Sequence, residues 1–316
     1  MTRFFRSLMA MRLSGLGASG IAAIMLSLTS SFHGAWAASE QAMFDRPEMA
    51  VDALLKNLEE RDVEGLAKLF GQEQWDRLVG PDKTQAREGL LRIYEAARER
   101  HLLVTGDSGS KVLIVGREGW PFPIPLIPER GQWRFDTEAG IQEVINRRIG
   151  ANELNAITVM YEYLTAQRRY AGIDRDGDEV LEYAQQIAST PGRKDGLHWV
   201  SQEPGDESPL GPFISESAPY FEGREVGDPF KGYYFRILTR QGDSAPGGRH
   251  DYIINGNMIA GFAMIAYPAE YGNSGIMSFI VNQQGIVYER DLGEETSTIA
   301  KNVMEYDPNG WSNTQD

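Results

Sequence analysis

The sequence predicts an α+β protein of two domains, each made of helices followed by an antiparallel sheet. Three observations carry this. Apolar residues recur at helical spacing in the first third of the chain and then give way to short strand-like runs. A proline-free stretch of more than thirty residues restores the helical period, and the chain closes on further strand-like runs. Helices followed by strands, twice over, is the order of α+β units rather than of a parallel sheet. With 316 residues, 41% of them apolar and 10% aromatic, the chain is long enough for two cores.

Residues 1–37 read as a signal peptide. Arg3, Arg6 and Arg12 precede an apolar run that ends near Leu28, and Ala35-Trp36-Ala37 supplies an A-x-A cleavage site. The run is interrupted by Gly and Ser and falls short of the roughly 20 residues that span a membrane. The mature chain is therefore expected to begin at Ala38, without a transmembrane span, in the periplasm or outside the cell. There is no cysteine, which removes disulfides, thiol catalysis, thiolate metal sites and a cysteine-linked lipid anchor. Loss of the three arginines leaves 28 basic against 45 acidic residues, a net charge of −17. Such a chain repels nucleic acid and anionic lipid surfaces, and its acids keep an exported protein soluble.

The first domain is expected over residues 44–148. In RPEMAVDALLKNLEERDVEGLAKLF, Ala50, Val51, Leu54, Leu55 and Leu58 mark one helix, and Asp62 is placed to cap a second. Thr84 to Arg100 predicts another, with Leu90, Leu91, Ile93, Tyr94 and Ala97 inward. HLLVT, KVLIVG, PFPIPLIP and QWRFDT then read as strands divided by Gly-containing turns.

The second domain, 149–316, starts within the long helical stretch TEAGIQEVINRRIGANELNAITVMYEYLTAQRRYAG, where Gly150 marks the place for a break. EVLEYAQQIAS predicts a short helix. Residues 190–230 form a long loop rich in Gly, Pro, Ser and acids, with room for short helices. GYYFRILT, HDYIING, MIAGFAMIAYP, IMSFIVNQ and GIVYERDLG make a second antiparallel sheet, with Asn255-Gly256 and Gln284-Gly285 at tight turns.

One stretch points to a metal. GIDRDGDEVLEYAQ places Asp174, Asp176 and Asp178 at alternate positions around Gly177, and Glu182 follows eight positions after Asp174. Alternate carboxylates in a sharply turning loop can converge on one hard cation, so calcium held by Asp174, Asp176, Asp178 and Glu182 is one reading. A solvated helix-capping turn is the other, because Glu179 stands where the usual calcium loop has Gly, and Gln185 where it has its closing Glu.

Catalytic signals are sparse. The mature chain has only His101, His198 and His250, and no Ser stands in a G-x-S-x-G elbow. His250 beside Asp251 could pair a base with an acid. No clustered nitrogen or sulfur ligands suit zinc, and GDSGS and APGG match no phosphate loop. Tyr233, Tyr234, Phe235, Phe262, Tyr267 and Tyr271 could line a groove for a glycan or peptide or fill a core. Trp75, Trp120 and Trp133 could line a pocket or fill a core in the first domain.

The segments WPFPIPLIPERGQWRFDT, INRRIGANE, RDGDEVLEYAQ, STPGRKDGLHW, SPLGPF, GYYFRILTRQG, APGGRHDYIING and AYPAEYGNSGIMSFIVNQQGIVYERDLG resemble bacterial exported proteins of domain-of-unknown-function family 2950, over about Phe44 to Pro308. That resemblance implies export and no particular reaction. NELNAITVMYEYLTAQRRYAG, with its acidic loop and terminal sheet, is similar to the globular part of type II secretion pseudopilins, although here a signal peptide and about a hundred residues precede the helix. The first domain is similar in element order to the nuclear-transport-factor-two-like cone. Together the residues point to an exported, non-enzymatic binding or assembly module of the cell envelope with a calcium-stabilised loop, acting on an envelope protein, a peptide or a glycan. The alternative is a secreted hydrolase that uses carboxylates or His250 in an interdomain cleft.

Overall fold

Pro47, at the first position of helix α1 (Pro47–Glu60), presets the helical φ, and Ala50, Val51, Leu54 and Leu58 form its buried stripe. The helix stops at Arg61, whose φ of 56° is left-handed and whose N–H returns to the carbonyls of Asn57 and Leu58. Asp62 caps α2 (Val63–Phe70) as expected, accepting the Gly65 N–H at 2.9 Å. A helix that the sequence did not announce, α3 (Gln72–Val79), lies between Gly71 and Gly80, both at positive φ. Asp82 caps α4 (Lys83–Glu99) by accepting the Gln85 N–H at 3.0 Å. The structure, a computed structural model, describes residues 41–201, 205–216 and 228–315, so the predicted signal segment lies outside the described residues.

Strands β1 (His101–Thr105), β2 (Lys111–Val115), β3 (Trp120–Pro121), β4 (Leu126–Glu129) and β5 (Gln132–Phe135) form an antiparallel sheet in the order β1-β2-β4-β5, with β3 paired to β2. Helices α1, α2 and α4 pack on it. Phe70, Phe122 and Phe135 meet in the core they share, with ring centroids 5.1–6.2 Å apart. Leu91 departs from the expected inward set. It is 46% exposed, because it falls on the outer face of α4.

Helix α5 (Thr137–Tyr170) runs 34 residues without interruption, about 51 Å at 1.5 Å per residue. The break allowed for at Gly150 does not occur; that glycine is exposed and inside the helix. Gly140 has a different role: a Cβ there would lie 2.6 Å from the Pro123 carbonyl and 2.7 Å from the Ile124 Cα, so only glycine lets the helix approach this backbone. The first half of α5 buries Ile141 and Ile145, and α3 packs against this helix. Its second half puts Ala156, Met160, Tyr163 and Leu164 into a separate core with the second sheet.

The helix expected over EVLEYAQQIAS does not form. Glu179 sits at φ 65°, and the Val180 N–H is taken by the Asp178 side chain. Beyond it the backbone is claimed by distant partners. Gln167, buried in α5, both accepts the Ala184 N–H and donates to the Ala184 carbonyl, each at 2.8 Å. Tyr183 N–H reaches the Met258 carbonyl, and His198 N–H reaches that of Ile187. These bonds satisfy the backbone as an extended segment.

After α6 (Gly211–Glu216), strands β6 (Tyr233–Leu238), β11 (Ala263–Pro268), β12 (Met277–Asn282), β13 (Tyr288–Asp291) and β14 (Ser312–Asn313) form the second antiparallel sheet in the order β14-β13-β12-β11-β6. Short pairs β7 (Arg240–Gln241) with β8 (His250–Asp251), and β9 (Ile253–Ile254) with β10 (Asn257–Met258), lie beside it. The second pair turns at Asn255-Gly256, both at positive φ. All six residues of β11 are buried, so both its faces are covered; α7 (Thr296–Asn302) packs against it and α5 against β12.

No strand pair joins the two sheets among the described residues. The described residues nevertheless belong to one compact unit. A polar hub at the middle of α5 links the two cores. Asn152, fully buried, accepts from Gln85 of α4 and donates to the Ser274 carbonyl at 2.8 Å. Asp82, which caps α4, also accepts the Gly232 N–H at 3.2 Å, and Glu153 accepts the N–H groups of Ile276 and Met277. A boundary between residues 148 and 149 would fall inside this helix, one turn before the hub.

Candidate functional site

The acidic loop begins where α5 ends. Arg175 turns back over the Tyr170 ring, 4.5 Å from its centroid, and donates to the carbonyls of Tyr170 and Ile173. That caps the helix end with a cation, where its dipole favours one. Asp174 then organises the turn, its Oδ1 accepting the Gly177 N–H at 2.8 Å and its Oδ2 the Glu179 N–H at 3.0 Å. The Gly177 N–H does most to hold the Asp174 carboxyl below the usual carboxylate range; burial pushes the other way, and the Glu179 N–H adds to the lowering. Gly177 at φ 79° and Glu179 at φ 65° both use the left-handed region, which the second of them does against the preference of an L side chain.

One carboxylate oxygen from each of Asp174, Asp176 and Asp178 lies within 4.8 Å of the other two. Two oxygens on opposite sides of a calcium ion stand about 4.6–5.2 Å apart, twice the 2.3–2.6 Å bond, so these separations lie in the range that shared coordination would require. The fourth expected ligand stands apart. Glu182 Oε2 accepts the Met258 N–H at 3.1 Å and so fastens the segment to β10, in the stretch that became extended instead of helical. Asp178 makes a similar link, accepting from Asn257 Nδ2 at 2.6 Å.

A second feature lies in the first half of the protein. A half-open apolar cavity of about 280 Å³ is lined by Leu54 and Leu58 of α1, Trp75, Leu78 and Val79 of α3, the inner face of α4, Trp120 and Phe122 to Ile124, and Val144, Arg147, Arg148 and Ala151 of α5. It explains why Ala97 is the only buried residue of α4: Gln85, Ala86, Leu90 and Ile93 line a void and stay half-buried. Trp75 and Trp120 line it. Trp133 does not; its backbone exchanges two hydrogen bonds with Phe44. Among the terminal aromatics, Tyr233, Phe262 and Tyr267 are core, and Tyr271 donates to Asp291 at 3.2 Å.

The histidines are placed in ordinary contacts. His250 Nδ1 meets the Gly248 carbonyl at 3.1 Å, while Asp251 pairs with Arg240 at 3.0 Å, so these neighbours in sequence hold different partners. His101 Nδ1 meets the Ala97 carbonyl. His198 Nδ1 lies 3.2 Å from the Oγ of Ser208, which is buried, and burial lowers the His198 pKa. No helix of the described residues is long and apolar enough to cross a membrane.

The family model described as "Protein of unknown function (DUF2950)" matches residues 41–314, and the chain belongs to that family. No curated protein and no solved structure matches it, so neither the pseudopilin nor the cone likeness has a comparison behind it.

Proposed function

We propose that this member of the DUF2950 family is an exported, non-enzymatic binding module of the cell envelope, released by cleavage near Ala37 and stabilised by calcium at its acidic loop. The observation that carries the calcium reading is the convergence of Asp174, Asp176 and Asp178 within 4.8 Å on a turn whose sixth position, Glu179, takes the backbone conformation that such loops reserve for glycine. Glu182 supports the loop from behind and leaves the remaining coordination to backbone carbonyls and water. The loop joins the end of α5 to the segment that covers the second core. A cation there holds the helix, the extended segment and the β9–β10 hairpin together.

Calcium binding to the folded protein adds RT ln(1 + [L]/Kd), about 2.7 kcal/mol at a hundredfold excess over Kd. Thermal melts of the mature chain are expected to shift upward in millimolar calcium relative to chelator, and Asp176→Ala is expected to abolish the shift. Glu182→Gln should lower stability and leave the shift in place. Coincident wild-type melts in calcium and in chelator would refute the calcium reading. Recovery of the protein with Met1 intact, or only in membranes, would refute the export reading.

A further inference from the structure

We propose that the apolar cavity of the first half binds a single-chain alkyl anion, with the chain among the leucines and the acid group beside Arg147 and Arg148. The proposal deepens the binding-module reading by giving it a ligand class. Two independent features point the same way. The first is the cavity itself: Leu54, Leu58, Leu78, Leu90 and Ile93 present aliphatic surface to a space that no side chain of α4 fills. A Cβ at Gly89 would meet only the Arg92 guanidinium, at 3.9 Å. A half-open apolar pocket of this size, at the low end of small-molecule sites, offers a place for apolar matter from outside the chain.

The second feature is the charge on its wall. Arg148 is half-buried, and its hydrogen bonds go to neutral acceptors, the carbonyls of Arg77 and Leu78 and the Oδ1 of Asn273. Burial lowers its pKa, and Glu270, the nearest acid acting on it, already accepts from Asn273 and forms no ion pair with it. A half-buried guanidinium whose hydrogen bonds all go to neutral acceptors gains from an anion delivered by a ligand. Its neighbour on α5, Arg147, stacks 4.8 Å over the Trp120 ring and bonds Glu143 at 2.6 Å and the Pro121 carbonyl at 3.2 Å. Arg92, on the facing helix, stands 3.9 Å from Glu88 in a loose, exposed pair. Arg92, Arg147 and Arg148 thus line the pocket, and their acidic neighbours Glu88, Glu143 and Glu270 do not. A polar glycan fits neither the aliphatic wall nor the volume, and a cationic amphiphile would meet three arginines.

The test is calorimetric titration of the mature protein with hexanoate, octanoate and decanoate, and with decanol and decyltrimethylammonium as neutral and cationic counterparts. Each methylene buried is worth about fourfold in affinity, so octanoate to decanoate should gain about fifteenfold until the cavity is full. Decanoate should bind at least tenfold more tightly than decanol, and the ammonium more weakly still. Ala86→Phe, which fills the space from α4, should abolish binding at an unchanged melting temperature. Arg147→Gln should weaken decanoate about fivefold and leave decanol unaffected. No uptake of decanoate at millimolar concentration, or equal affinity for all three head groups, would overturn the proposal. So would unaltered decanoate binding by a folded Ala86→Phe protein. The wild-type chain-length series decides the matter even where a variant fails to fold. A calcium-dependent melt alongside absent decanoate binding would remove the cavity assignment alone, without touching the loop.

Discussion

Replacing Asn152 by alanine tests whether the polar hub couples the two cores. Its amide is fully buried and makes two bonds to different elements, accepting from Gln85 and donating to the Ser274 carbonyl. Truncation leaves the Ser274 carbonyl without that donor, at a cost of about 1–3 kcal/mol. The Gln85 amide, half-buried, can turn toward water and adds less. The lost carboxamide also leaves a small void beside Gly232, where the packing is tight enough that a Cβ would sit 2.3 Å from the Asn152 Nδ2. The sum is about 2–4 kcal/mol, a large share of the 5–15 kcal/mol typical of a folded domain. The assay is urea unfolding followed by tryptophan fluorescence and by far-ultraviolet dichroism, with Asn146→Ala as the control, an exposed site on the same helix that accepts only from Gln142. Asn152→Ala should lower the midpoint and separate the two signals, because the cores then melt independently. A loss no larger than that of Asn146→Ala, below about 0.5 kcal/mol, with coincident signals, would refute the coupling argument.

Other substitutions probe the backbone and the half-buried His198. Gly140→Val should destabilise by several kcal/mol, since its Cβ would strike the backbone of Pro123 and Ile124, whereas Gly150→Ala should stabilise by about 0.5–1 kcal/mol at an exposed helical site; melting temperatures check both. Glu179→Gly removes a left-handed strain of about 1–2 kcal/mol and loosens the unfolded chain by about 0.4–1 kcal/mol, so a small net rise in melting temperature in chelator is expected, and a fall would contradict the φ of 65°. His198 has a folded pKa below its ordinary 6.5, so the unfolded chain binds the extra proton first. Its contribution is therefore complete above about pH 6.5 and declines as pH falls toward the folded value. His198→Gln should flatten the stability profile below pH 6.5, and an unchanged slope would count against burial as the cause.

Local chemistry was legible in the sequence and distant chemistry was not. The cap at Asp62 and the turn at Asn255-Gly256 depend on neighbours within a few residues, and they stand where the residue types place them. Helix α3 escaped because it is short, lies between two glycines and buries only Trp75. The segment after the acidic loop has helical residue types, and its extended form is imposed by Gln167, Met258 and His198, far away in the chain. For the same reason the spacing of Asp174, Asp176 and Asp178 foretold their convergence, while Glu182 answers to a hairpin near Met258 that no local pattern announces. The cavity was hidden most completely. Leu90 and Ile93 keep the same period whether the face they form is packed or left open.

The hub also fixes an order of events in folding. Its bonds close across long stretches of chain: 122 residues from Asn152 to Ser274, 125 from Arg148 to Asn273 and 150 from Asp82 to Gly232. The first core closes somewhat shorter loops, with Gln41 bonding the Phe135 carbonyl across 94 residues, so its contacts cost slightly less loop-closure entropy. Until the β11–β12 turn arrives, Asn152 and Arg148 stand on α5 with only water or α3 and α4 to bond. The joining of the halves closes the longest of these loops and is expected to come late, and a chain interrupted before residue 273 would retain an open seam of polar groups along the middle of its longest helix.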